Sequence, residues 1–368
     1  MPTETVYRIA FSMLTGVNAA SGRRILDIVG TEEQFFSLRP EYLGSMLGLT
    51  SKIISRDYRD GLMRKAEEEA RFVEAHGIRL LYFADEKYPR RLSECEDAPL
   101  MLYGIGDCDL DSKFALSIVG TRHATPYGID FTQKLVSELT EHLPDKPMIT
   151  SGLAFGIDIA AHRAALKSAA PTVAVLAHGL KSIYPAVHRN DATAIIDNGG
   201  MLLTEYISGA PVHRGNFLAR NRIVAGLSDG TVVAESAVKG GAMVTASIAA
   251  AYSREVMALP GRTSDNYSTG CNRLIRSNTA SLVTSAEDVS NTLGWPMETS
   301  GTHQNTLPLV LDPDEQTVID LLTERGEATI NQIAISSGLS ISRTMSLLVD
   351  MEFKGLIICY PGSRYRLA

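Results

Sequence analysis

The sequence predicts an α/β protein: a Rossmann-like, mostly parallel sheet in the middle of the chain, flanked by a small helical domain and a winged helix. Three observations carry this reading. Apolar runs alternate with amphipathic stretches between residues 113 and 285. That alternation is the mark of βαβ units. Residues 1–80 hold helical patterns broken by glycine turns, and residues 311–368 run helix, helix, turn, helix, hairpin. At 368 residues the chain also exceeds one ordinary core, which predicts two or three domains.

In residues 1–80, Leu14-Thr15-Gly16-Val17 precedes Ala19–Val29, where Ile25, Leu26 and Val29 have helical spacing. Leu47-Gly48-Leu49-Thr50 leads into Lys52-Ile53-Ile54. Both have the shape of a helix-hairpin-helix (SAM-like) unit, whose turn amides and following helix N-terminus can hold one phosphate. A purely structural helical domain fits the same residues.

Residues 81–290 form the α/β domain. Its strand-like runs are Phe114–Val119, Met148–Thr150, Thr172–Ala177, Met201–Thr204, Thr231–Ala234, Val256–Leu259 and Ala280–Thr284. Most are apolar throughout rather than alternating, as expected where helices cover both faces of a sheet. Amphipathic stretches lie between them: Phe131–Leu139, Ile157–Leu166, Leu218–Leu227 and Ala242–Ala251. Residues 291–310, with Gly294, Pro296, Gly301 and Pro308 among polar residues, read as a linker. From 311 to 368 come helices at Glu315–Thr323, Ile330–Ser336 and Ile341–Phe353, then strands Leu356–Cys359 and Tyr365–Leu367 around Pro361-Gly362. That order is a winged helix-turn-helix.

Composition narrows the function classes. Hydrophobic content of 45% with 21% charged residues is ordinary for a globular chain. The four cysteines (Cys95, Cys108, Cys271, Cys359) form no C-x-x-C pair, which argues against zinc or a disulfide framework and fits a reducing compartment. Met1–Leu14 has no basic region followed by an apolar one, and no run of 18 apolar residues occurs, so a cytoplasmic protein with no membrane span is expected. The net charge of −7 is unevenly spread. Residues 1–112 carry 14 basic and 19 acidic side chains, residues 113–285 carry 16 and 12, and residues 286–368 carry 5 and 11. An anion site therefore belongs in the middle segment, although chance variation between domains gives a similar figure.

Ligands of open α/β sheets sit beyond the carboxyl ends of the strands. The loops there are Gly120-Thr121-Arg122, Ser151-Gly152-Leu153 and His178-Gly179-Leu180-Lys181, the last followed by Tyr184-Pro185 and His188-Arg189. Further on come Arg214-Gly215-Asn216-Phe217 with Arg220-Asn221-Arg222, then Lys239-Gly240-Gly241-Ala242, then Pro260-Gly261-Arg262. Glycine lets backbone approach a ligand closely, and amides at helix starts hold phosphate oxygens. Arginine adds bidentate phosphate contacts. Six loops on one rim, nearly all pairing a small residue with a cation, point to a polyanion.

Single residues carry alternatives. Gly120 also suits a plain turn and Arg122 a surface ion pair. Arg220 and Arg222 read as a basic pair at a helix start, opposing the dipole by about 0.3–1 kcal/mol per charge, which a bound anion would offset. Phe217 suits a core position or a base-stacking platform between Arg214 and Arg220. Asp158 and His162, four apart on one helix face, read as a hydrogen-bonded structural pair, since no third metal ligand accompanies them.

Enzyme readings find little support. No G-x-x-x-x-G-K-[ST] loop is present. The first turn, Gly120-Thr121-Arg122-His123-Ala124, lacks G-x-G-x-x-G, and no acidic residue ends the second strand to hold a ribose. Gly240-Gly241 to Thr245 vaguely resembles the phosphate loop of nucleotide phosphoribohydrolases, but Ala246-Ser247-Ile248-Ala249 stands where a glutamate is expected. A nucleotide or nucleoside-phosphate hydrolase, or a nucleotide-sensing module, using the same pocket stays as the alternative. No catalytic residue, cofactor or metal is expected.

From Tyr88 to Val283 the chain resembles the DprA (Smf) family of DNA-processing proteins. The resemblance runs through Tyr88-Pro89-Arg90-Arg91-Leu92, Asp97-Ala98-Pro99-Leu100, Leu102-Tyr103-Gly104 and Ile118-Val119-Gly120-Thr121-Arg122. It is densest in Ser151-Gly152-Leu153-Ala154-Phe155-Gly156-Ile157-Asp158 to Ala161-His162, in Phe217–Ser228 and in Gly270-Cys271-Asn272-Arg273-Leu274-Ile275. It implies a homodimer that binds single-stranded DNA and loads the RecA recombinase onto it during natural transformation. It further implies that the DNA lies at the strand ends, using Arg122 and the basic residue three before Phe217, which is Arg214. Two positions depart from the family pattern: Ala186 stands where lysine often follows Tyr-Pro, and His188 where asparagine is usual. Arg189 is the candidate replacement for the missing lysine. The expected DNA-binding set is Gly120, Thr121, Arg122, Ser151, Gly152, Arg189, Arg214, Phe217, Arg220, Asn221 and Gly240.

Overall fold

The computed structural model describes residues 3–48, 52–297, 312–354, 356–360 and 363–367. The second glycine turn (Leu49, Thr50), most of the 291–310 linker and the Pro361-Gly362 turn lie outside them. The chain divides into two compact units, Met1–Glu298 and Thr299–Ala368.

The first unit opens with α1 (Thr3–Ser12), α2 (Ala19–Val29), α3 (Glu32–Ser37), α4 (Pro40–Leu47) and α5 (Arg56–Ala75). Side chains set the helix starts. Asn18 and Ser21 form a reciprocal cap on α2, and Thr31 and Gln34 do the same on α3. Buried Arg59 of α5 donates to the carbonyls of Phe35 and Leu38, the second at 2.7 Å, which ties α5 to the end of α3. In the turn between α1 and α2, the Thr15 amide donates to Tyr58 Oη at 3.2 Å. That amide is therefore satisfied within the protein rather than presented to a phosphate.

The sheet elements follow: β1 (Arg79–Tyr82), α6 (Arg90–Ser93), β2 (Met101–Gly106), β3 (Ala115–Val119), α7 (Pro126–His142), β4 (Met148–Ser151), α8 (Ile157–Lys167), β5 (Thr172–Val175), α9 (Arg189–Asp197) and β6 (Met201–Thr204). Then come α10 (Arg214–Gly226), β7 (Gly230–Val233), α11 (Gly241–Ala251), β8 (Glu255–Ala258), α12 (Thr269–Arg276), β9 (Ser281–Leu282) and α13 (Ala286–Leu293). The nine strands lie in the order β1-β2-β6-β5-β4-β3-β7-β8-β9. The pairings from β6 through β9 are all parallel, while β1–β2 and β2–β6 are antiparallel. The seven apolar runs named from the sequence each overlap one of the parallel strands to within a residue or two, and every residue of β3 to β7 is buried. The antiparallel pair β1–β2 and helix α9 had no such signal.

Helices α1–α5 are not separate from the sheet. Ile9, Phe11, Leu62 and Val73 share one apolar cluster with Leu102, Tyr103, Val175 and Leu203. A second cluster, with Leu116, Leu135, Ile149 and Val232, fills the opposite face.

The second unit holds α14 (Pro313–Arg325), β10 (Ala328–Thr329), α15 (Ile330–Ser337), α16 (Ile341–Phe353), β11 (Ile357–Tyr360) and β12 (Arg364–Leu367). Its three strands pair as β10-β12-β11 around its own core of Val318, Leu322, Ile333, Leu347, Leu348 and Met351. This is the winged helix that the sequence predicts.

Candidate nucleic-acid interface

The order of strands reverses at β3: the chain moves outward through β4, β5 and β6, then returns to place β7 on the other side of β3. Such a switch point leaves a crevice at the carboxyl ends of the strands. Here it is a cleft of about 350 Å³, walled by Gly120–His123 after β3, by Gly152 and Ala154 after β4, and by Ser236–Gly241 after β7. Phe217, Leu218 and Asn221 of α10 close one side. An open groove of about 1070 Å³ continues from it along α10 and α11, sharing Arg122, Phe217, Leu218 and Lys239, and reaching Tyr184 and Arg214.

Backbone packing shapes the floor. Gly156 has φ +76°, and a Cβ there would run into the Thr121 carbonyl oxygen, so only glycine lets these two loops close on each other. The Thr121 amide donates to the Glu235 carbonyl at 2.7 Å. The Glu235 carboxylate, 3% exposed, accepts from Thr125 N at 2.8 Å and Thr125 Oγ1 at 2.6 Å, capping α7. The N-terminus of α7 is thereby filled by a protein anion. The N-terminus of α11 is different: its cap, Gly240, offers no side chain, and Gly240 and Gly241 line both cavities.

The cations fall into two groups. Arg122, Arg214 and Lys239 are exposed, and none is within ion-pair distance of a carboxylate among the described residues. The Arg122 guanidinium lies over the Phe217 ring at 5.5 Å from its centroid, and Phe217 meets Tyr184 edge-on at 5.8 Å. The half-buried Phe217 ring thus lies at the mouth of the cleft rather than in the core.

Arg220 and Arg222 behave otherwise. The expectation of a basic pair at a helix start is corrected: α10 begins at Arg214, so both lie beyond its first turn, and each is balanced by the protein. Arg220 is 4% exposed and donates from Nη1 to the Val175 carbonyl at 2.5 Å. Burial lowers its pKa, and the negative charge of Asp158 opposes that shift. Asp158 is pushed up by burial and held down by Arg220 and by the amides of Ala154 and Gly152. Arg222 pairs with Glu205 and reaches Asp97 at 3.9 Å, away from the cleft lining.

Asp158 and His162 are not bonded to each other, contrary to the sequence reading. Thr172 Oγ1 donates to the Ile149 carbonyl at 2.7 Å, so it accepts from His162 Nδ1 at 2.8 Å, which fixes the proton on Nδ1. Burial, with the Arg220 cation next, depresses the His162 pKa to about 3. Among the described residues no group of three or more His, Cys, Asp or Glu could hold a metal.

The remaining expected residues are spread over the rim and its supports. Gly120, Thr121, Gly152, Asn221 and Gly240 line the cleft. Ser151 is buried and donates to the Ile118 carbonyl at 2.6 Å, a tie between strands rather than a ligand contact. His188 donates from Nδ1 to the Leu153 carbonyl at 2.9 Å, fixing the loop after β4 from below. Arg189 is exposed at the start of α9 but lines neither cavity. Sequence reasoning missed His123 and Tyr267, whose rings stack at 6.1 Å and line the cleft. It also missed Glu69 of α5, whose carboxylate accepts from Ser208 N at 2.8 Å and Ser208 Oγ at 2.6 Å in the loop leading to Arg214. No periodic pattern marks either feature.

Residues 79–294 match the family model described as DNA recombination-mediator protein A, and residues 303–363 match the DprA winged helix domain. The chain is 37% identical over 318 residues to the putative DNA processing protein DprA of Mycobacterium tuberculosis, covering 82% of this chain and 80% of that protein. It is 31% identical to the protein Smf of Synechocystis, covering 99% of both. The structure of DNA processing protein A from Streptococcus pneumoniae superposes with a TM-score of 0.65 at 29% identity, over 79% of this chain and 98% of that one. A Helicobacter pylori relative, described for its single-stranded DNA binding mode, gives a TM-score of 0.51 at 33% identity, over 59% and 95% of the two chains. Sequence, fold and the order of domains agree, and the chain belongs to the DprA/Smf family of DNA-processing proteins.

Proposed function

We propose that this chain binds single-stranded DNA along the cleft and groove at the β3–β7 switch point, and that it does so without catalysing a reaction on the strand. The observation that carries the reading is the set of exposed, acid-free cations Arg122, Arg214 and Lys239 around the Phe217 ring. Cations that give up no carboxylate partner can neutralise phosphates at low desolvation cost, while an aromatic face with aliphatic neighbours accepts bases of any sequence. The carboxyl-end glycines bring main-chain amides to the same line. The family resemblance adds a cytoplasmic homodimer that passes the strand to a RecA recombinase during natural transformation.

Titration of labelled single- and double-stranded oligonucleotides at two salt concentrations tests the binding. Neutralising four or so phosphates gives a slope of log K against log salt of roughly −3, on the order of 0.7 per contact. A slope near zero, or tighter binding to duplex, counts against the proposal. Turnover of common nucleotides that persists through purification and vanishes when Arg122 is replaced would favour a hydrolase instead.

A further inference from the structure

A third cavity, of about 640 Å³, lies on the same edge of the sheet, lined by Thr125, Tyr127, Pro260, Gly261, Arg262 and Asp265. Its lining begins two residues after His123 and ends two residues before Tyr267, the pair whose rings stack at the side of the cleft. Aromatic and cationic groups therefore follow one another along this edge: Tyr184, Phe217 and Arg122, then His123 and Tyr267, then Tyr127 and Arg262.

Tyr127 is 50% exposed, yet its hydroxyl donates to the Pro260 carbonyl at 2.8 Å. One end of the ring is tied down while much of the ring stays open to solvent. Stacking on a ring already held in place loses less side-chain freedom than stacking on a mobile one. Arg262 is exposed and, among the described residues, lies within ion-pair distance of no carboxylate, although Asp265 shares the cavity. Arg262 and Asp265 stand at the two ends of one turn, Asp265 N donating to the Arg262 carbonyl at 3.1 Å, opposite Thr125 and Tyr127, so a phosphate entering the cavity is drawn to the guanidinium and repelled by the carboxylate.

We propose that this cavity is a second nucleotide subsite, in which a base of the strand leaving the cleft past His123 and Tyr267 stacks on Tyr127 while its phosphate meets Arg262. The inference rests on the single-strand reading above and extends it to a longer footprint.

The test compares oligothymidylates of about 4 and about 12 nucleotides, a span typical of single-strand sites. Tyr127→Ala and Arg262→Ala are expected to weaken binding of the longer strand about tenfold and leave the shorter one unchanged; Tyr127→Phe keeps most of the affinity. Tyr127→Trp adds a fluorescence readout, quenched by the longer strand and not by the shorter. Wild-type protein that binds neither strand overturns the single-strand reading itself. Wild-type binding with equal affinities for all variants at both lengths, or an unquenched Trp, overturns the second subsite alone.

Discussion

The guanidinium of Arg220 lies directly beneath the main chain of Gly152, with no room for a Cβ between them. A buried cation on α10 thus supports the loop after β4 that walls the cleft. Gly152→Ala must displace that guanidinium from the Val175 carbonyl and from the charge of Asp158. Overpacking at such a site costs about 1–3 kcal/mol. The expected result is a lower melting temperature together with weaker oligonucleotide binding, read by calorimetry and anisotropy on the same sample. Unchanged stability would show that Arg220 is not held as described.

The exposed cations should separate from the buried one. Arg122→Ala and Arg214→Ala each remove a solvent-facing charge that no carboxylate of the described residues pairs with; Arg122 keeps only its exposed contact with the Phe217 ring. Each should weaken single-strand binding by about 1.5–3 kcal/mol, the range for a charge-assisted contact, with no drop in melting temperature. Arg220→Ala leaves Asp158 buried without its balancing charge and should be strongly destabilising. If Arg122→Ala unfolds the protein and Arg220→Ala does not, the two roles have been exchanged.

His162 makes stability depend on pH in a defined window. Its folded pKa is depressed to about 3 from the ordinary 6.5, so between those values the unfolded chain binds a proton that the folded chain refuses. Stability is unaffected by this group above pH 6.5 and falls as the pH drops toward 3. At pH 5 the loss is about 2 kcal/mol, on the scale of 1.36 kcal/mol per pKa unit. His162→Gln should flatten that part of the profile in chemical denaturation. An unchanged slope between pH 5 and 6.5 would mean the imidazole is hydrated in the folded state.

Much of this was legible in the sequence because it rests on local pattern. Strands such as Thr172–Val175 show as apolar runs, and the rim shows as small residues beside cations at strand ends. What stayed hidden depends on distant partners. Arg220 and Arg122 look alike in sequence, and only the Asp158 carboxylate and the Val175 carbonyl make one of them internal. The strands β1 and β2 stayed hidden because they pair antiparallel at the edge of the sheet, outside the strand–helix–strand alternation that marks the others. Tyr267 and His123 are a pair only once the loops of β3 and β8 meet.

The winged helix should contribute little to strand binding. Its Arg343 lies 3.5 Å from Asp314, Lys354 pairs with Glu315 at 2.5 Å, and Arg364 and Arg366 both reach Glu327. Its third helix exposes the apolar Ile341, Met345, Val349 and Phe353, and offers only Arg343 among amide or guanidinium side chains. Base edges and phosphates call for the latter. Removing residues 309–368 should therefore leave oligonucleotide affinity within about threefold, or roughly 0.6 kcal/mol. A loss of tenfold or more, with the oligomeric state intact, would assign this domain a direct part in binding.

The contact between Glu69 and Ser208 bears on where the functional piece of the molecule begins. The central family match starts at residue 79, ten positions after that carboxylate. A fragment trimmed to the match would keep all the exposed cations of the rim, yet the segment that delivers Arg214 would lose the anchor on both donors of Ser208. The helices that precede the sheet are in this sense part of the binding face without touching it, and the smallest autonomous binding fragment is set by that anchor rather than by the edge of the sheet.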